Sequence, residues 1–279
     1  FQMAAHILYC TSASLSLLAN LILLYFVIFR SPAYLSPYKY CIGNSAISDT
    51  ILSLACVFLQ CRLIPNRWAF AFVAMGPAGL LGTEVSFHSY VLILHSLFYI
   101  FLCFPLSFAY RYYILRRGAP RASTILQLIG ALYIIPILQL ILFVYSQSDP
   151  VRIREYLMEN KPQYFPYLDS YTITGAHMLW NWGTSVILAT IILPMFPIYG
   201  LVVFFYRKTA KLLDSTDAAV ALMIQAALPF LFVFPPIILY CLYHVEVVQF
   251  TFIEYAVFVL FSFLPASNPY ISLYFIRPY

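Results

Sequence analysis

Charge is scarce in this chain. Lys and Arg number 15 and Asp and Glu 10 in 279 residues, so only 9% of positions are charged. Soluble domains carry about 25%, and this composition excludes a water-soluble globule. Cysteine is sparse too. Cys10, Cys41, Cys56, Cys61, Cys103 and Cys241 lie in or beside apolar runs without metal-ligand spacing, and read as small packing residues. The segment 146–175 has no cysteine, so no disulfide can pin it to another part of the chain. There is no His-Glu-x-x-His, Gly-x-Ser-x-Gly or P-loop pattern, and no cofactor or metal signature. Nothing here carries enzyme chemistry. A net charge of +5, scattered along the chain, does not suggest nucleic acid. The first residue is Phe rather than Met, and the last follows directly on an apolar run, so the sequence reads as a core lacking native ends. No separate signal peptide is visible, and the first apolar run is expected to act as a signal anchor.

What the chain has is apolar length. It is 63% hydrophobic and 19% aromatic. The runs are continuously apolar, whereas a membrane β-barrel alternates apolar and polar residues in short segments. The expected fold is all-α: a seven-transmembrane helix bundle forming one domain over 1–279. Runs at about 3–29, 40–63, 84–110, 123–145, 176–206, 218–244 and 253–276 are each long enough for the roughly 20 residues that cross a bilayer. The third run, uncharged between Glu84 and Arg111, is read as the central helix. The stretch 68–82 is apolar and is expected to lead into it; 146–175 reads as a polar loop. One set of links holds ten basic residues: Arg30, Lys39, Arg111, Arg116, Arg117, Arg121, Arg207, Lys208, Lys211 and Arg277. The other set holds five, Arg62, Arg67, Arg152, Arg154 and Lys161, offset by acids including Asp149 and Asp169. The basic excess marks the cytoplasmic side. The N-terminus is then expected outside and the C-terminus in the cytoplasm.

Few polar residues interrupt these runs, and such residues face the bundle because exposure to lipid is costly. Asp49, with Asn44, Ser48, Asn20 and Asn268, suggests a buried polar hub able to rearrange between two states. Arg111 ends the third run and is either an interfacial anchor or a latch that contacts the sixth helix and then a cytosolic partner. Glu84, His88 and His95 fall on one helical face, which lines a cavity or bonds neighbouring helices. On an unbroken helix Arg111 points the opposite way from Glu84, so both face the axis only if the helix bends at Pro105. His177, Trp180 and Asn181 crowd the outer end of the fifth run, and Tyr240 and His244 that of the sixth. They suit an interfacial belt or contact with a small ligand. Prolines in runs five, six and seven mark candidate hinges.

These residues carry a resemblance. Tyr110-Arg111-Tyr112 resembles the Asp-Arg-Tyr signature of rhodopsin-like G-protein-coupled receptors, with Tyr in place of Asp. Asn268-Pro269 is similar to the Asn-Pro of their seventh helix, with Ser272 where the usual tyrosine stands. Asp49 and Asn20 resemble their second-helix aspartate and first-helix asparagine. A closer likeness is to nematode serpentine chemoreceptors of the Str superfamily, delta class. It rests on Gly76-Pro77, FAYRYYIL at 108–115, DPVRIREYL at 149–157, IQAALP at 224–229 and the ending NP…FIRPY. Many members carry Cys after that Gly-Pro; here it is Ala78, a departure that leaves open whether an outer disulfide forms. The resemblance implies a chemosensory receptor in the ciliary membrane of sensory neurons, an odorant or pheromone-like ligand, and a heterotrimeric G protein. It implies switch or coupling roles for Asp49, Tyr110, Arg111, Tyr112, Lys208, Lys211, Asn268 and Pro269. A ligand-gated channel would place the N-terminus inside, and a transporter would show an inverted repeat; no repeat is visible.

Overall fold

The structure, a computed structural model, describes residues 1–31, 37–66, 68–164, 170–213, 216–248 and 250–275. Pro32, Arg67, Asp169, Asp214 and Arg277 lie outside them. Nine α-helices are described: α1 Gln2–Phe29, α2 Tyr38–Leu59, α3 Thr83–Arg117, α4 Ala122–Val144, α5 Pro150–Asn160, α6 Trp182–Ala210, α7 Thr216–Phe232, α8 Phe234–His244 and α9 Thr251–Phe275. Seven segments are long and apolar enough to span a membrane: α1, α2, α3, α4, α6, α9 and the α7–α8 pair over Leu222–His244. All spanning structure must satisfy its backbone internally, which helices do.

The third span is central. In its most apolar window 72% of residues are buried, against 17% in α4 and 22% in α6. Its helix runs past Arg111 to Arg117, further than the apolar run that marked it. Arg116 and Arg117 occupy the last turn, where cations meet the negative end of the helix dipole. Gly118, at φ 83°, then ends the helix in a conformation costly for other residues. The sixth span is broken at Val233, two residues before Pro235-Pro236.

The link between α2 and α3 differs from expectation. It is a hairpin, β1 Cys61–Asn66 and β2 Ala69–Ala74, joined by a third antiparallel strand, β3 Thr172–His177. The polar loop 146–175 therefore supplies a strand, and also α5, whose N-cap Asp149 accepts from Val151 N at 2.9 Å with Pro150 in the first turn. The sheet separates two apolar layers. Phe70 and Phe72 drive into the bundle, where Phe72 stacks on Tyr90 at 4.4 Å and Phe258 packs on the same tyrosine. Ala69, Ala71 and Val73 face the other way, onto Ile153 and Leu157 of α5. The hairpin thus plugs the bundle and α5 caps the plug.

Gly175 makes this possible. A Cβ there would lie 2.3 Å from the Phe70 carbonyl oxygen. Gly175→Ala is expected to push β3 off β2 and cost about 1–3 kcal/mol, read as a lower melting temperature of the purified protein.

At the end away from the sheet, Tyr112 of α3 and Phe205 of α6 meet at 6.0 Å between ring centres. Arg111 and Lys208 therefore sit at the same end. All six cysteines are free, Cys10 and Cys241 exposed and the other four buried.

Candidate functional site

The polar residues inside the bundle form two joined centres. In the first, Asp49 is buried on α2 and its Oδ2 accepts from Asn268 Nδ2 at 3.0 Å. Asn20 on α1 donates to Ser16 and, at 3.1 Å, to the carbonyl of Pro265. That carbonyl would ordinarily bond the backbone N–H of residue 269, but Pro269 has none. Asn20 supplies the missing donor and fastens α1 to the seventh span. Ser53 links the centre to Ser16 at 2.6 Å. Asp49 Oδ1 and Asn20 Oδ1 have no partner among the described residues. Asn44 belongs to a separate pairing, accepting from Tyr99 OH at 2.8 Å and donating to Cys103 Sγ at 3.5 Å. Among the described residues Ser48 bonds back to the Asn44 carbonyl alone. The single hub expected from sequence is therefore divided between α1–α2–α9 and α2–α3.

The second centre surrounds Arg111. Its Nε and Nη2 both donate to Tyr38 OH, at 2.8 and 2.6 Å. Its Nη1 donates to Gln225 Oε1 on α7, so the arginine of α3 holds the second and sixth spans together. The guanidinium also lies over the Tyr38 and Phe108 rings. Tyr110, in place of the expected acid, stacks on Tyr38 at 4.9 Å. A phenol rather than a carboxylate restrains this arginine. A cavity of about 40 Å³ runs from Arg111 and Gln225 to Cys103 and Asn268 and connects the centres; it is large enough for water. Tyr112 packs on Phe205, while Lys208 and Lys211 are exposed at the end of α6. Tyr38 and Gln225 were not singled out by sequence reasoning. Gln225 had a usable signal, a lone amide in an apolar helix.

The residues proposed for ligand contact are dispersed. Glu84 and His88 are exposed on α3, with His88 Nδ1 2.7 Å from the Glu84 carbonyl. His95 is buried between α3 and α4, 3.1 Å from both the Pro136 carbonyl and Tyr133 OH. This face of α3 thus looks towards α4 and outward, while Arg111 looks inward, which removes the need for a bend at Pro105. Asn181 caps α6 by accepting from Gly183 N at 3.0 Å. Tyr240 and His244 stack on α8 at 5.6 Å.

His177 closes β3. Its ring stacks on exposed Trp180 at 3.9 Å, meets Tyr156 edge-on, and its Nδ1 accepts from Leu179 N and Trp180 N. Burial lowers its pKa. The neutral ring is the form that fits, so its contribution is present above the unfolded value of about 6.5 and is lost as pH falls below it. Melting temperature is expected to drop between pH 7.5 and 5, and the drop to shrink in His177→Gln.

Seven spans around a central helix, with a buried carboxylate–amide centre leading to an arginine at one end, define a multi-pass serpentine membrane receptor. The chain belongs to the Srd family of serpentine type 7TM GPCR chemoreceptors, which it matches over residues 5–279. It is 30% identical to the serpentine receptor class delta-19 of Caenorhabditis elegans, over 93% of this chain and 81% of that protein. It is similarly 30% identical to class delta-18, with the same coverage, and 26% identical to class delta-3, over 95% of this chain and 82% of the relative.

Proposed function

We propose that this chain binds a small odorant or pheromone-like molecule from outside the cell and activates a heterotrimeric G protein. The sheet end faces outward and the Arg111 end faces the cytosol, in keeping with the excess of basic residues on the links of the Arg111 end. The site of action is the plasma membrane, in the ciliary membrane of sensory neurons. The observation that carries the reading is Arg111, held by Tyr38 and Gln225 across three spans. Releasing Gln225 frees the sixth span to move at its break near Val233. A ligand acts by binding the released state better than the held one.

Ligand contact falls to Tyr240 and His244, on the span that moves. His177, Trp180 and Asn181 shape the neighbouring rim, and Glu84, His88 and His95 act on the α3–α4 side. Asp49, Asn268 and Pro269 carry the change inward; Tyr110, Arg111, Tyr112, Lys208 and Lys211 present it to the G protein. The test is a calcium assay in a heterologous cell supplied with a promiscuous G protein, screening volatile and ascaroside-like compounds. An N-terminal tag on intact cells is expected to be stained by antibody without permeabilisation. Staining only after permeabilisation would favour a channel.

A further inference from the structure

Where β1, α8 and α9 meet, at the sheet end, a carboxylate is buried. Glu254, in the first turn of α9, is 1% exposed. Arg62 of β1 reaches one of its oxygens with Nε at 2.9 Å and Nη2 at 2.8 Å. The hydroxyls of Tyr164 and Tyr243 both donate to the other oxygen, Tyr243 at 2.6 Å. Lys161 donates to Tyr243 OH at 3.3 Å. The guanidinium is itself steadied by the rings of Tyr255 and Tyr164, 4.7 and 5.3 Å away. Burial, reinforced by Glu254, raises the Tyr164 pKa, so its phenol keeps its proton and remains a donor. An arginine and two phenols converging on two oxygens is a set shaped for a carboxylate. A crevice of about 10 Å³ with apolar walls of Ile64, Val73 and Ile173 is lined also by Arg62 and Tyr164. A buried ion pair is not by itself a strong source of stability, since apolar replacements of the same shape often do as well. The donor set and the crevice together fit recognition.

We propose that Arg62, Tyr164 and Tyr243 form a carboxylate socket that the chain's own Glu254 fills, and that a small ligand with a carboxylate and a short apolar tail binds by displacing it. This rests on the receptor reading and names its ligand class. Displacement frees the first turn of α9 from β1 and from the end of α8. Those two elements lead inward: α9 also carries Asn268, and α8 continues α7, which carries Gln225. The socket is thereby coupled to the Arg111 centre through two spans.

The experiment uses the full chain purified in detergent and needs neither ligand nor G protein, so its failure is separate from failure of the receptor reading. Glu254→Ala empties the socket and is expected to lower the melting temperature by about 10 °C. Millimolar acetate is expected to restore most of the loss. Hexanoate is expected to do so at a concentration about tenfold lower, because its tail enters the crevice. Methyl hexanoate, which has no carboxylate, is expected to do nothing. Glu254→Gln fills the socket with a carboxamide and is expected to gain nothing from either acid. If Glu254→Ala folds only when solubilised in acetate, that is the same result. The proposal is overturned if the ester protects as well as the acid, or if neither acid restores the variant under both conditions.

Discussion

Arg111→Ala is expected to abolish G-protein activation while leaving ligand binding in place. From the third span the guanidinium touches both the second and the sixth, through Tyr38 and Gln225. On the proposed mechanism it keeps the end of the bundle shut in the held state and is the group free to meet a partner in the released one. Its loss removes both roles, whereas the residues proposed for ligand contact lie at the other end. Guanine-nucleotide exchange on the G protein checks this; exchange retained in the variant would overturn the latch. Tyr38→Phe makes the opposite prediction. It deletes the oxygen that accepts both Nε and Nη2, and hydrogen bonds to a charged group are worth about 1.5–3 kcal/mol. If that difference falls on the held state, basal exchange rises roughly tenfold, within the usual range of allosteric coupling. An unchanged basal rate would mean that Tyr38 restrains nothing.

Arg62→Ala is expected to be the most damaging single substitution for stability. Glu254 is fully enclosed, and without Arg62 its charge keeps only the two phenols as partners among the contacts described above. Removing one member of a buried pair typically costs about 3–5 kcal/mol. For a domain of this size that is a melting temperature lower by about 10 °C. Arg62→Lys keeps the charge but loses the fork and the ring contacts, and is expected to recover only part. Thermal unfolding of the purified receptor measures both; a loss below 2 °C for Arg62→Ala would show that the pair is incidental.

The elements that could be read from sequence and those that could not differ in kind. The spans, the central place of the third one and the odd crossing number were legible, because a bilayer selects on apolar length and length is written along the chain. Asp49 was legible as buried and Asn268 as facing the bundle, because few other reasons keep such residues inside apolar runs. The strand Ala69–Ala74 was read as part of the approach to α3, since a six-residue apolar run has no period that separates strand from helix. Its partner Thr172–His177 lies about a hundred residues on, inside a loop that looked merely polar. The Asp-Pro at 149–150, an N-cap followed by a first-turn proline, marks the start of α5 inside the segment read as a polar loop.

The sequence alone determined that the chain crosses a membrane seven times, which residues are too polar to face lipid, and where its basic links lie. Tertiary structure decided which polar residues meet. Helices this uniformly apolar carry little record of their own rotation, so the pairing of Arg111 with Tyr38 and Gln225, of Asn20 with the Pro265 carbonyl, and of Arg62 with Glu254 depends on how neighbouring spans turn and tilt against each other. That packing, and the sheet seated in the bundle by Phe70 and Phe72, exists only once residues far apart along the chain are brought together.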